Sequence, residues 1–354
     1  MMMYDTILYG NGLTSALINK INGLPGMTAT DRAVSKINDR ICSMISIPVD
    51  SPNYKKILKL FGLCSREQSD FESSLNNHRE SKKFLNGYLP EIRRSGLEVF
   101  AGNHFGEQEV RSHIEYLYAL YNCWYKDIET TLFAKPVVID YLEKVVDAVG
   151  SQFHNILTLN FDQFLDNAYL NRKLPVQHLH GRFVEQIGNY GDVQFFTYEG
   201  GTQFEYSYLF GANAFEKSNR LHRIHTHETQ GHPNYDLDFF FGSDTSYGNL
   251  LLYGISFTSS GIFSEDFLEA FPEHRGIPGT LDYYLVNSLD GHVLYKIQEK
   301  LDQRRIDHVT IAYYSEKDRE HLETLLASTP IWDNLTLCQC REVAFSSDLK
   351  LLLE

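Results

Sequence analysis

Asn155 to Arg182, NILTLNFDQFLDNAYLNRKLPVQHLHGR, decides the fold. Ile156 to Leu159 is a short apolar run of the kind that forms a buried strand, and it breaks at once into the polar triplet Asn160-Phe161-Asp162 with a helix-compatible segment behind it. In open α/β sheets ligands settle in the crevice outside the carboxyl ends of the strands, so an amide and a carboxylate two residues apart at such an end are placed to meet a ligand. A second polar exit follows. Val176 to Leu179 reads as another short strand, and it delivers His178, His180 and Gly181, the glycine letting the chain turn sharply beside whatever the imidazole touches. Each signal alone has a plainer explanation: Asn-x-Asp after a strand is often a helix cap, and His-Gly is often a turn.

The amino terminus changes that balance. Asp5 to Tyr9 is an apolar strand that runs straight into Gly10-Asn11-Gly12-Leu13-Thr14-Ser15, and a helix is expected from Ala16 to Ile21. Glycines permit positive φ and a close approach of backbone to a diphosphate, while a helix amino terminus offers N–H groups and a favourable dipole, so Gly10, Asn11, Gly12, Thr14 and Ser15 are the expected nucleotide contacts. Ser15 or Ala16 stands where a dinucleotide fingerprint has its third glycine, and the strict G-x-G-x-x-G is not met.

A glycine-rich first turn, then a T-x-N-x-D strand exit (Thr158, Asn160, Asp162), then a strand ending in His180-Gly181, is the motif order of sirtuin-like NAD-binding domains, which the chain resembles from residue 4 to about 325. The wording of Leu8 to Gly12 and of His178 to Gly181 looks like the divergent sirtuin-like and AbiH-like proteins of bacterial antiphage defence. Leu250 to Phe257, a buried strand ending in Gly254-x-Ser256, is similar to a late Gly-x-Ser strand of those proteins, and Asp70-Phe71-Glu72 agrees with them. The resemblance implies an α/β, Rossmann-like, mostly parallel sheet at 1–50 and 151–354, and the patterning of 51–150 reads as a helical insertion. It adds Gly254 and Ser256 to the nucleotide contacts. It also implies cleavage of NAD, taken as substrate: Asp162 positions the nicotinamide carboxamide, Asn160 orients the ribose or the attacking water, and His180 is the general base. Sirtuin deacylases carry two Cys-x-x-Cys zinc pairs. This chain has only Cys338-x-Cys340, so no structural zinc of that kind is expected and protein deacylation is disfavoured.

The remaining sequence bounds the function. At 354 residues and 43% hydrophobic content the chain is long enough for one large α/β domain with an insertion. A net charge of −14 argues against a general nucleic-acid-binding surface. Five scattered cysteines and a start without a signal core lead to a reducing, cytoplasmic setting, and no apolar run suits a membrane span. Ile41 to Ile47 suits a strand or a buried helix equally. The stripe Tyr116, Leu117, Leu120, Tyr121, Trp124 has helical spacing and suits core or an oligomer contact. Residues 183–249 are rich in glycine and aromatics, as in short strands, loops or a lid. Within them His222, His225, His227 and His232, with Glu228, admit a metal, but Arg220, Arg223 and several turn formers favour a solvated loop, and no metal is expected.

Three functions remain open at this stage. The leading one is an NAD-consuming hydrolase of antiphage defence, gated by homo-oligomerisation or by a separate sensor protein. The second is a non-catalytic nucleotide sensor, and the third a deacylase or ADP-ribosyl transferase acting on macromolecules.

Overall fold

The computed structural model describes residues 4–28, 37–52, 54, 79–95, 100, 104, 113, 131–160, 162–166, 170–179, 193–196, 203–206, 245–257, 268–269, 272–288 and 290–353. In chain order the elements that build the frame are β1 (Thr6–Tyr9), α1 (Asn11–Asn22), α2 (Ile37–Ser46), α3 (Leu89–Ser95), α4 (Pro136–Gln152), β2 (Asn155–Thr158) and β3 (Val176–His178). They continue with β4 (Val193–Phe196), β5 (Gln203–Tyr206), β6 (Gly248–Tyr253), α5 (Leu281–Asn287), α6 (Gly291–Asp302), β7 (Ile306–Tyr313), α7 (Glu316–Leu326), β8 (Leu335–Gln339) and α8 (Ser347–Leu353). Strands β4 and β5 pair with each other, antiparallel.

The other six strands form one sheet in the order β3-β2-β1-β6-β7-β8, every neighbouring pair parallel. This is the order of a doubly wound, Rossmann-like sheet. The strand order reverses between β1 and β6, and the crevice at their carboxyl ends is the switch point where such sheets bind ligands.

Side-chain alternation along the strands divides the core in two. Ile7, Tyr9, Ile156, Val176, Leu251 and Tyr253 face one layer, built from α1, α2, α4 and α8 through residues such as Leu17, Ile45, Leu142 and Leu349. Leu8, Leu157, Leu250, Leu252, Val309 and Ile311 face the other, built from α5, α6 and α7 through Tyr284, Ile297 and Leu325. Because both faces are covered, the central strands carry continuous apolar runs, Ile7–Tyr9 in β1 and Leu250–Tyr253 in β6. Helix α4 spans residue 150, the expected end of the insertion, and its Val138, Val145 and Val149 join the same core as the sheet.

Several local expectations change. Ile41 to Ser46 belongs to a helix, α2, with Ile41, Cys42, Met44 and Ile45 buried, and Ile47 follows in a bend. The first helix starts at Asn11 rather than Ala16, with Gly10 in extended conformation as its N-cap. The early start comes from packing against distant chain: the Gly12 N–H donates to the Gly254 carbonyl at 2.9 Å. After β2, residues 164–166 form a turn instead of a helix. The Asp162 carboxylate accepts the Phe164 N–H at 3.3 Å and so holds the chain in that turn.

Candidate site at the carboxyl end of the sheet

The switch point is built by glycines that touch. Gly254 follows β6 at φ +69°, and a Cβ there would come within 2.7 Å of the Leu13 nitrogen and 2.8 Å of the Gly12 Cα. At Gly12 a side chain would meet the Tyr314 hydroxyl and Gly254 itself, and at Gly10 it would come within 2.8 Å of the Gly254 carbonyl. The two turns leave β1 and β6 and interlock with no room for a methyl group, which fixes the start of α1 over the crevice.

One helical turn further on, Thr14 points at the exit of β2. The Asn160 Nδ2 donates to the Thr14 hydroxyl at 2.9 Å, and that hydroxyl donates to Asp162 Oδ2 at 2.9 Å. The three side chains form one relay, and all are buried. Behind them the Asn160 N–H donates to the Thr158 hydroxyl at 3.0 Å, and Thr158 in turn donates to the Tyr9 carbonyl at 3.0 Å. Burial pushes the Asp162 carboxyl up to about 6, with the Thr14 hydroxyl, the Phe164 N–H and His178 pulling the other way. The Tyr9 phenol is raised well above its ordinary range by burial and by Asp162 and Asp166. A carboxyl that ionises close to neutral pH is able to act on a ligand in either form.

Of the expected contacts, Gly10, Gly12 and Gly254 come together as a packed turn, and Thr14 comes together with Asn160 and Asp162. Asn11 and Ser256 are exposed on either side of the crevice, and Ser15 is half-buried on α1. His180 lies outside the described residues, as do His222, His225, His227, His232 and the Tyr116–Trp124 stripe. Among the described residues no three His, Cys, Asp or Glu side chains are arranged to hold a metal ion, and no helix is long and apolar enough to cross a membrane.

Two features escaped the reading of the sequence. His178 and Asp166 sit directly under the Asn160 backbone, and a lone acid in a turn gives no signal that it will meet a strand residue. A cleft of about 410 Å3 opens beyond Gly12, at the carboxyl ends of β6, β7 and β8, with Tyr253, Tyr314, Phe345, Cys340 and Arg341 in its wall. Burial raises the Cys340 thiol to about 12, so it stays protonated. Compared with family models, with curated proteins and with solved structures, the chain matches none.

Proposed function

We propose that the chain is a sirtuin-like NAD-cleaving hydrolase that releases nicotinamide and ADP-ribose and serves as the effector of a bacterial antiphage abortive-infection system. The observation that carries the reading is the convergence, at a Rossmann-like switch point, of the Gly10–Gly12–Gly254 turn with the buried Thr14, Asn160 and Asp162. The interlocked glycines suit a dinucleotide backbone lying across α1. The cleft beside Gly12, with aromatic rings and the Arg341 guanidinium, suits a base and a phosphate.

In this reading Asp162 accepts from the nicotinamide carboxamide. A carboxylate has more lone-pair sites than Thr14 and Phe164 occupy, and above pH 6 it also opposes the positive charge that develops on the ribosyl group as the glycosidic bond breaks. Asn160 orients the ribose or water, and His180 takes a proton from one of them. No metal takes part in this scheme.

Asp162 is 1% exposed and Asn160 3%, so the nicotinamide ring reaches them only after the surrounding chain opens. That burial supports gating, by homo-oligomerisation or by a sensor protein of the same defence system, since a cytoplasmic NAD hydrolase without restraint would poison its own cell. The same observation favours a second reading, a nucleotide sensor without turnover: the Thr14 relay and the Gly12 N–H are already bonded within the protein. Incubating the purified chain with NAD, across protein concentrations and with added nucleotides, separates the two. Free nicotinamide supports the hydrolase, and binding without release supports the sensor. ADP-ribose found attached to an added protein would instead support transfer to macromolecules.

A further inference from the structure

The exit of β2 is held from behind by two side chains that the proposed reaction does not use. His178, the last residue of β3, presents Nδ1 to the Asn160 carbonyl oxygen at 2.7 Å and Nε2 to Asp166 Oδ2 at 3.1 Å. The imidazole is 0% exposed and the carboxyl group 7%. A carbonyl oxygen only accepts, so Nδ1 carries a hydrogen and donates it. A neutral imidazole with its hydrogen there offers only a lone pair at Nε2, and a carboxylate also offers only lone pairs. The contact is satisfied when one more proton lies between them, as imidazolium with carboxylate or as imidazole with carboxylic acid. The Asp162 carboxyl on the same exit and the Tyr9 phenol on β1 also act on this pair.

We propose that His178 and Asp166 form a proton-holding dyad that fixes the Asn160 backbone, and through it the Asn160 amide on Thr14, in the position that meets the ligand. His178 is on this account a positioning residue. Its effect on ligand rests on the NAD reading, while its protonation pattern does not.

The test is nitrogen-15 NMR of the histidine rings in the ligand-free full chain at neutral pH, combined with binding of ADP-ribose to the wild type, Asp166→Asn and Asp166→Ala. In the wild type, His178 shows a hydrogen on Nδ1 protected from exchange. In Asp166→Asn the amide N–H takes over as donor to Nε2, so the Nδ1 hydrogen persists and ADP-ribose affinity stays within about threefold of the wild type. Asp166→Ala weakens binding roughly tenfold or more through the displaced Asn160. A His178 ring protonated on Nε2 alone, or a folded Asp166→Ala protein that binds ADP-ribose as the wild type does, overturns the dyad. If Asp166→Ala does not fold, the wild-type ring spectrum and Asp166→Asn decide. If the wild type itself ignores ADP-ribose, the NAD reading fails, and the ring spectrum alone decides the dyad.

Discussion

Strands β2 and β7 both end in an aspartate that accepts from a hydroxyl and from a backbone N–H, and the two ends do opposite things. At the exit of β7, Ser315 and Asp318 make a capping box: the Asp318 N–H donates to the Ser315 hydroxyl at 3.2 Å, and the Ser315 N–H donates to Asp318 Oδ2 at 2.9 Å. All of this happens within four residues, three of them exposed and Asp318 half-buried, and starts α7. At the exit of β2, Asp162 takes the hydroxyl of Thr14, 148 residues away, and is buried. Its bonds start no helix. Local, solvated hydrogen bonding explains Asp318 completely, whereas the desolvation of Asp162 goes with only the short turn at 164–166. Burial out of proportion to that turn is what singles out the β2 exit as the candidate site.

Substitutions at the two exits should therefore part company. The largest expected effect is on rate: Asn160→Ala and His180→Ala reduce nicotinamide release by a factor of roughly a hundred to ten thousand while melting close to the wild type. Two folded variants with wild-type rates would erase the distinction between the exits.

Next in size is the glycine lock between the exits of β1 and β6. Gly254→Ala combines a positive φ with contacts under 3 Å to Gly12 and Leu13, and should lower the unfolding free energy by about 3 kcal/mol. Urea denaturation measures it, and a loss below about 1 kcal/mol would mean that the two turns are not interlocked.

A pH series sharpens the contrast further. The Asp162 carboxyl has an ordinary value of 3.8 and is raised to about 6 in the folded chain, so between those values the folded state binds more protons than the unfolded one. Stability from this group is present below about pH 4 and is lost as pH rises through 6, in total about 3 kcal/mol for a shift of about two units. Asp162→Asn lacks that dependence. Its stability relative to the wild type should rise by about this amount between pH 4 and pH 7, and a flat difference would contradict the burial argument.

The smallest effect belongs to the β7 exit. Asp318→Ala removes half of an exposed capping box and should cost about 1 kcal/mol in denaturation, with NAD chemistry untouched.

Much of this frame was legible beforehand, for reasons that follow from burial. Strands covered on both faces announce themselves as apolar runs, as at Ile156–Leu159 and Leu250–Tyr253, and their polar exits at Asn160 and Gly254 stand out by contrast. After residue 290 the same kind of signal is readable, because α6, β7 and α7 each carry their own period. Ile41–Ile47 was not, since a short apolar run fits either period until its neighbours are known. The early start of α1 depends on the Gly254 carbonyl, and the Thr14 relay on a partner across the sheet. Asp166 was invisible for the same reason: nothing near it in sequence tells of His178.

Nicotinamide release from NAD, followed for the purified wild type, Asn160→Ala and Asp318→Ala across a range of protein and nucleotide concentrations, tests the central claim most directly. The account predicts release by the wild type and by Asp318→Ala under at least one assembly condition, and near-complete loss in a folded Asn160→Ala. Equal release by all three, or no release and no NAD binding by any of them under every condition, would contradict it.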